Sequence, residues 1–544
     1  MQADVLEAAR KSFPPSSAGI TLGAVVHGGE CAPEPICQIP LSMMNRHGLI
    51  AGATGTGKTK SLQLIAEQLS AAGVPVLVSD VKGDLSGLGA AGEPNERIDQ
   101  RARDTGYTWH PAAAPVELLS LSGKLGAQLR ATVSSFGPML LAKVLGLNET
   151  QTSVLTLVFK FCDDRGLLLL DFSDLRAVLR YLSDEGADEL KEYGGMSKQT
   201  VGVLLREMVE LEAQGAEDFF GEPEFDLDDL MQTERDGRGL ISVLELRDVQ
   251  DRPAMFSTFM LWMLARLYGQ LPEVGDVDKP KLVFFFDEAH LLFDGASKAL
   301  LAQIEQTVRL IRSKGVGVFF VTQSPKDVPQ DVLGQLGHRV QHALRAFTED
   351  DDTALRAAAR TFPKTTFYDI EETLTTLGIG EAFVTTLATN GVPTQPFAVR
   401  MVPPSSRMAP LTDPELQQRV STSVQVKKYA EDIDRQSARE MLEDRAAPAA
   451  EQPQAAPPPP PQPGQYQYQR QAQEAAGAPP QYQYQREAPE EPKRRGRAPR
   501  EEPGMFEKVL KSGVARSVAT QVTRGLMGAL LGTPSRRRRR GGLW

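Results

Sequence analysis

The chain contains little cysteine and no long apolar run. Its 544 residues include three cysteines, Cys31, Cys37 and Cys162, with neither a C-x-x-C pair nor disulfide-like spacing. Such usage is typical of a reducing compartment and argues against a disulfide scaffold or a metal site. The N-terminal residues lack a basic stretch followed by an apolar one, and no apolar run approaches the roughly 18 residues of a membrane-spanning helix. We therefore expect a cytoplasmic protein.

Positive charge is scarce in most of the chain. The net charge is −10, but residues 446–544 carry 16 Lys and Arg against 8 Asp and Glu, so residues 1–445 carry a net charge of −18. An acidic body gives no support to a generally basic nucleic-acid surface, although a locally basic channel is compatible with it. The sequence shows no helix-turn-helix, no zinc module and no strip of interleaved basic and aromatic residues.

The strongest motif lies at residues 52–59. It matches the phosphate-binding pattern G-x-x-x-x-G-K-[ST], between an apolar strand at 48–51 and a helical pattern that Gly73 ends. The backbone N–H groups of such a loop form an anion cradle, Lys58 adds a charge for the β and γ phosphates, and Thr59 would hold Mg²⁺. The residues expected to bind ATP are Gly52, Ala53, Thr54, Gly55, Thr56, Gly57, Lys58 and Thr59. The alternative is a glycine turn with a solvated lysine.

Two carboxylates follow another buried strand, the apolar run at 281–286. Asp287 stands where a carboxylate that orients Mg²⁺ is expected, and Glu288 where a base that activates water is expected. Hydrolysis needs such a base, whereas phosphoryl transfer to another substrate does not, so Glu288 disfavours a small-molecule kinase. In the alternative interpretation the pair only caps the next helix.

Gln323 follows a further apolar strand, Val316–Thr322. A neutral polar side chain in this place can contact the γ-phosphate or the attacking water and report hydrolysis to the rest of the domain. Without the two motifs above, the same residues would only predict a turn at the end of a strand.

Composition and periodicity divide the chain into segments. We predict an α/β core with a parallel sheet in two parts, interrupted by a large all-helical insertion. The predicted limits are 1–47 for a short N-terminal segment with one helix and two strands, 48–120 and 236–402 for the core, 121–235 for the insertion, and 403–445 for a helical extension.

The last hundred residues differ in composition from the rest. Residues 446–503, rich in Pro, Gln, Ala and Glu with Gln-Tyr-Gln-Tyr-Gln-Arg occurring twice, are predicted to be disordered. Residues 504–544 are predicted to form a basic amphipathic helix with an arginine-rich end at 536–540. That end suits an acidic membrane surface, nucleic acid, a protein or the acidic body itself, or is a solubilising tail without a fixed partner.

The motifs together resemble a known family, the HerA-like branch of the HerA/FtsK ATPases. The large helical insertion with a basic C-terminal helix resembles, within that branch, the ATPases of the bacterial YjgR type. The resemblance covers roughly residues 36–400. It rests on five motifs in order, which are the phosphate loop, Asp80-Val81-Lys82-Gly83-Asp84, Phe286-Asp287-Glu288-Ala289-His290, Arg312-Ser313-Lys314-Gly315-Val316-Gly317 and Thr322-Gln323.

The resemblance implies a RecA-like core, assembly of identical subunits into a ring, usually a hexamer, and translocation on double-stranded DNA. It implies that Arg312 contacts the γ-phosphate in its own subunit and that Arg345 reaches a neighbour's nucleotide as an arginine finger. A surface ion pair is the alternative for either arginine. Residues 1–47 are too short for the N-terminal barrel of archaeal HerA proteins, which puts a nuclease partner and the usual assembly in doubt. The role of His290 stays open.

The sequence thus predicts a cytoplasmic Mg²⁺-dependent ATPase with a RecA-like fold that acts as a ring-forming motor, a DNA translocase or helicase. ATP hydrolysis follows from the residues, whereas DNA follows from the resemblance alone. The competing interpretation is an ATP-dependent scaffold or switch that recruits a protein or membrane partner through the helical insertion and the basic tail.

Overall fold

The computed structural model describes residues 1–16, 18–250, 252–275, 277–294, 298–431, 433 and 435–446. The predicted disordered linker and the predicted C-terminal helix lie outside the described residues, as does the arginine-rich end. None of the helices in these ranges is both long and apolar enough to cross a membrane.

The described residues form twelve strands. They are β1 Gly19–His27, β2 Glu30–Pro40, β3 Gly48–Ala51, β4 Val76–Asp80, β5 Val116–Ser120, β6 Ala127–Gln128, β7 Ile241–Glu245, β8 Leu282–Phe286, β9 Val316–Thr322, β10 His338–His342, β11 Glu381–Thr385 and β12 Phe397–Met401.

The same ranges contain eighteen α-helices. They are α1 Ala3–Ser12, α2 Lys58–Ala71, α3 Glu96–Thr105, α4 Val133–Phe136, α5 Pro138–Val144, α6 Glu149–Arg165, α7 Phe172–Ser183, α8 Ala187–Lys191, α9 Lys198–Ala213, α10 Ala216–Phe219, α11 Pro253–Gln270, α12 Lys298–Ile311, α13 Gln330–Leu333, α14 Glu349–Ala359, α15 Ile370–Thr376, α16 Asp413–Thr422, α17 Val424–Ala430 and α18 Ala438–Ala446.

All twelve strands belong to one sheet in the order β2-β1-β12-β11-β10-β3-β9-β8-β4-β7-β5-β6. From β10 to β6 every neighbouring pair is parallel. The parallel core predicted from the sequence is therefore confirmed. The remaining four strands add an antiparallel side, because β11 pairs antiparallel with β10, and β12 with both β11 and β1.

The central strands are buried on both faces, which is why they read as continuous apolar runs. Along β8, Phe284 and Phe286 point into the core that contains the helical insertion, while Phe285 points into the core on the opposite face. Phe286 stacks on Phe320 of β9 with ring centroids 5.5 Å apart, and Phe285 stacks on Phe319 at 5.1 Å. The aromatic pairs fix the register of β8 against β9, and with it the relative height of the two strand ends.

The helices α4 to α10 lie between β6 and β7, where the sequence predicts an insertion. Their apolar residues belong to the same core as one face of the sheet, so the insertion is packed on the sheet rather than standing apart. The C-terminal helices contact it as well. Tyr429 of α17 donates a hydrogen bond to Asp229 at 2.6 Å, and the backbone N–H of Arg439 in α18 donates to Asp174 at 3.0 Å. The domain limits remain predictions.

Candidate nucleotide-binding and hydrolytic site

The candidate site lies at one edge of the parallel sheet. Because neighbouring parallel strands end at the same edge, the segments that follow β3, β9, β8, β4 and β10 meet there. These segments carry the phosphate loop after β3, Gln323 after β9, Asp287 and Glu288 after β8, the loop 81–85 after β4, and Arg345 after β10.

The phosphate loop connects β3 directly to α2. Its backbone has φ of +153° at Gly52 and +120° at Gly57, conformations that side-chain-bearing residues rarely adopt. A Cβ at Gly52 would stand 2.5 Å from the Cβ of His342. The loop is tied to its surroundings by Thr56, whose hydroxyl donates to Ala53 O at 2.7 Å and whose carbonyl accepts from Gly380 N at 2.9 Å. Glycine is therefore required for the close approach of β10.

Lys58 begins α2 and is only 8% exposed. Its Nζ donates to the carbonyl of Ala53 at 3.2 Å, so the ammonium group lies against the loop that would hold phosphates. Burial lowers the pKa of Lys58, while the negative charge of Glu288 opposes that shift. A buried cation beside backbone N–H groups at a helix N-terminus fits a phosphate. Thr59 is the next residue of the helix and is partly exposed.

Asp287 is buried at the end of β8, with 3% exposure. Its backbone N–H donates to the hydroxyl of Ser79 at 3.0 Å, and among the described residues its Oδ2 has no hydrogen-bond partner. Burial, together with the charges of Glu288 and Asp80, raises the pKa of Asp287 to about 7. A buried acceptor without a partner needs a compensating ligand, and a hydrated divalent cation is one.

The donor set fits Mg²⁺ only together with a nucleotide. No group of three or more His, Cys, Asp and Glu in the described ranges could hold a metal ion by itself. Mg²⁺ is commonly bound by one or two protein oxygens together with phosphate oxygens and water. Asp287 and Thr59 can supply those protein oxygens.

Glu288 adopts a left-handed backbone conformation with φ of +49°, which is strained for a residue with a side chain. Its carboxylate is 6% exposed and forms an ion pair with Lys82 through Oε1. The other oxygen, Oε2, lies 3.4 Å from His290 Nδ1 and has no hydrogen-bond partner among the described residues. The predicted base is thus next to the predicted metal-holding carboxylate, with one oxygen engaged by a lysine.

Asp80 shapes the loop that carries Lys82. Its carboxylate accepts the backbone N–H groups of Gly83 at 2.6 Å, Asp84 at 3.2 Å and Leu85 at 2.8 Å. Burial raises the pKa of Asp80 to about 6, against the effect of these hydrogen bonds. Asp80 and Lys82 belong to one of the five sequence motifs, but the motif alone predicts no role for either residue. A strand ending in Asp, followed three residues later by Gly, was the signal for such a carboxylate-closed turn.

An open cavity of about 580 Å³ adjoins the phosphate loop. Its lining includes Ala53 and Thr54 of the loop, Gln323, His290 and Arg345. Gln323 is exposed to this cavity beside β9, where the sequence predicts it to face the nucleotide. Arg345, expected at the nucleotide of a neighbouring subunit, lines the cavity next to the loop of its own subunit.

Arg312 does not lie with the other predicted site residues. It follows α12 and precedes β9, and it lines a second cavity of about 460 Å³ with Arg46, Arg309 and Arg339. Arg46 precedes β3, whereas the phosphate loop follows β3. The two ends of this four-residue strand are about 13 Å apart, so the second cavity and the phosphate loop lie at opposite edges of the sheet. In this structure Arg312 is therefore remote from the phosphate loop of its own subunit, and the contact with the γ-phosphate that the resemblance implies stays a prediction.

His342 is a further residue that the sequence analysis missed. It is fully buried at the end of β10, and its Nε2 lies 2.9 Å from the hydroxyl of Ser61 in α2. Its Nδ1 lies 2.8 Å from the carbonyl of Glu381 in β11. Burial lowers the pKa of His342 to about 4. A neutral imidazole thus connects α2, the helix after the phosphate loop, to β10 and β11. No local sequence pattern predicts this connection.

This loop, sheet and pair of carboxylates define a P-loop NTPase with a RecA-like core. Residues 29–540 match the family model described as helicase HerA-like, C-terminal. The chain therefore belongs to the HerA-like family and is a P-loop ATPase of the HerA/FtsK type.

Solved structures show a weaker likeness. The bacterial conjugative coupling protein TrwB is 15% identical over 73% of this chain and 91% of its own, with a TM-score of 0.46. VirB4 of Thermoanaerobacter pseudethanolicus is 15% identical over 71% and 97%, with a TM-score of 0.44. TrwB in complex with ADP and Mg²⁺ gives a TM-score of 0.47 at 15% identity over 75% and 95%. Likeness at this level carries no argument about function. No curated protein matches the chain.

Proposed function

We propose that the protein is a Mg²⁺-dependent ATPase whose hydrolytic cycle moves subunits of a homo-oligomeric ring, with double-stranded DNA as the substrate of that movement. The observation that carries the proposal is the meeting of Lys58, Asp287 and Glu288 at one edge of the sheet. Lys58 and the loop N–H groups would hold the β and γ phosphates. Asp287 and Thr59 would hold Mg²⁺, which supplies charge neutralisation at the phosphates when it is bound.

Hydrolysis then needs a base and stabilisation of the developing charge. Glu288 would accept a proton from the water that attacks the γ-phosphorus, while the bond to the bridging oxygen of ADP breaks. Gln323 lines the adjoining cavity and would hydrogen-bond that water or the γ-phosphate. Arg345 lines the same cavity and would place its guanidinium at the γ-phosphate of its own subunit.

The second cavity supports assembly. It is lined by four arginines, and no Asp or Glu occurs among the described residues of its lining. A polar cavity of this charge suits an anion, and the proposed anion is the nucleotide of a neighbouring subunit. Arg312 rather than Arg345 would then be the arginine finger. The number of subunits in the ring, six by resemblance, is part of this proposal.

The competing candidate is an ATP-dependent scaffold or switch. It is favoured by the net charge of −18 of residues 1–445, which makes a general DNA surface on the body unfavourable. In this case the basic C-terminal residues would recruit a protein partner or an acidic membrane. Cytoplasmic localisation belongs to both candidates.

The ATPase rate with and without long duplex DNA separates the two. A motor is expected to be stimulated at physiological salt, whereas indifference to DNA at low and physiological salt would contradict DNA translocation. Stimulation that occurs only at low salt would indicate non-specific binding by the arginine-rich end. A chain truncated after residue 446 provides the control for that effect.

A further inference from the structure

Lys82 and Glu288 form an ion pair between two loops that are 206 residues apart in the sequence. Lys82 lies in the loop after β4, and Glu288 follows β8, the neighbouring strand of the sheet. The two side chains differ in accessibility, because the lysine side chain is 51% exposed while the carboxylate is 6% exposed. The lysine therefore covers the base from the solvent side.

The backbone on both sides of this pair is fixed. Asp80 holds the loop of Lys82 through three backbone N–H groups, and Glu288 adopts positive φ two residues after the end of β8. By contrast, the lysine side chain is long and half exposed, so its ammonium group can leave the carboxylate while the loop keeps its shape. In this pair the backbone of both loops is held in place, and the Lys82 side chain is the part that can move.

A base in this state is restrained. A carboxylate accepts the proton of the attacking water only through a free lone pair within hydrogen-bond reach of that water. Oε1 of Glu288 is engaged by Lys82, while Oε2, which has no hydrogen-bond partner among the described residues, is buried from solvent 3.4 Å from His290 Nδ1.

We propose that Lys82 is a clamp that restrains Glu288 in the nucleotide-free chain, and that its release limits the basal rate of ATP hydrolysis. This inference rests on the proposed role of Glu288 as the base. Lys82 acts through Glu288 and is therefore a positioning residue rather than a catalytic one. A triphosphate in the adjacent loop would attract the ammonium group away from the carboxylate and so couple nucleotide binding to release of the base.

The first test compares turnover of Lys82→Met with the wild type. The neutral side chain of similar length should raise basal kcat about tenfold, equivalent to about 1.4 kcal/mol, because release of the lysine no longer limits turnover. Lys82→Arg keeps the ion pair and should remain at the wild-type rate. Lys198→Met removes an exposed lysine paired with Asp184 in the helical insertion, and it controls for the loss of a surface charge. In a Glu288→Gln background, Lys82→Met should have no further effect, which a merely structural role would not predict.

The second test needs no turnover. Acetic anhydride should label Lys82 several-fold faster in the Glu288→Gln variant than in the nucleotide-free wild type, while labelling of Lys198 stays constant. Unchanged labelling of Lys82, or a kcat of Lys82→Met at or below the wild-type value, overturns the clamp.

The outcomes also separate the clamp from the proposed function. A wild type that hydrolyses ATP while Lys82→Met is no faster rejects the clamp alone. Absence of hydrolysis in both proteins rejects the clamp together with the ATPase activity. Hydrolysis by Lys82→Met but not by the wild type supports both.

Discussion

His342 and Ser61 form a buried hydrogen bond of 2.9 Å between β10 and the helix that follows the phosphate loop. Since Nδ1 donates to the carbonyl of Glu381 at 2.8 Å, Nε2 is the acceptor for the Ser61 hydroxyl. His338 repeats the arrangement, with Nε2 donating to Met43 O at 2.8 Å and Nδ1 accepting from Leu387 N at 3.3 Å. Protonation of either ring would break one hydrogen bond and bury a charge.

The stability of the fold should therefore fall in mild acid. Burial lowers the pKa of His338 and of His342 to about 4, below the ordinary value near 6.5. Between pH 4 and pH 6.5 each ring takes up a proton when the chain unfolds. Its contribution to the free energy of unfolding is therefore fully present above pH 6.5 and is lost as the pH falls towards 4. The loss at pH 5 is on the order of 2 kcal/mol for each histidine. Urea unfolding at pH 7 and pH 5 measures it.

Matched variants separate this effect from the titration of carboxylates. Between pH 7 and pH 5 the free energy of unfolding of His338→Gln should fall by about 2 kcal/mol less than that of the wild type, because the glutamine amide does not titrate. His27→Gln, which replaces a partly exposed histidine, should follow the wild type. An identical pH dependence of His338→Gln and the wild type would contradict the assignment.

Asp80→Ala should destabilise the chain by about 2 kcal/mol or more. The substitution leaves backbone N–H groups of Gly83 and Leu85 buried without their acceptor, and an unsatisfied buried donor costs about 1–3 kcal/mol. Asp80→Asn retains one acceptor oxygen, and its free energy of unfolding should lie between those of Asp80→Ala and the wild type. Urea unfolding gives the free energy, and limited proteolysis at residues 81–85 reports the loop. Asp236→Ala, at an exposed aspartate, should change stability by less than about 0.5 kcal/mol; an equal loss in both would show that the Asp80 contacts add little.

Glu288→Gln and Lys58→Ala should fail in different ways. Without a base, Glu288→Gln should lower kcat about 100-fold or more while ATP stays bound, because the phosphate loop is intact. Lys58→Ala removes the cation at the phosphates and should weaken binding itself. Retention of labelled ATP and release of phosphate, measured on the same samples, distinguish the two. Normal turnover by Glu288→Gln would remove this residue from the mechanism.

Local sequence patterns predicted the core of the site because each of its parts is a strand end. The phosphate loop, Asp287 and Gln323 each follow an apolar run, and parallel pairing alone brings such ends together. By contrast, the clamp on Glu288 and the bridge at His342 depend on contacts across 206 and 281 residues, which no local pattern reveals.

The position of Arg312 away from the phosphate loop has a simpler cause. The residue precedes its strand, whereas all members of the candidate site follow theirs, and that order alone puts it at the opposite edge of a parallel sheet. The role of the arginine came from the resemblance, whereas chain order places it at a distance from the loop of the same subunit.

The two arginines should therefore behave differently when variants are mixed. If Arg312 serves a neighbouring nucleotide, Arg312→Gln alone should bind ATP but hydrolyse it slowly, since loss of an arginine finger costs about 10³-fold or more. Mixing it with Lys58→Ala subunits, which retain Arg312 but cannot hydrolyse ATP, should restore part of the activity. Arg345→Gln should not recover in the same mixture, because its arginine and phosphate loop must act in one subunit. Steady-state phosphate release from subunits mixed before assembly measures both, and Arg312→Gln and Arg345→Gln are first checked for wild-type oligomer size and unfolding midpoint. Recovery of Arg345→Gln without recovery of Arg312→Gln would reverse the assignment, and a strictly monomeric wild type would leave neither arginine a neighbour to serve.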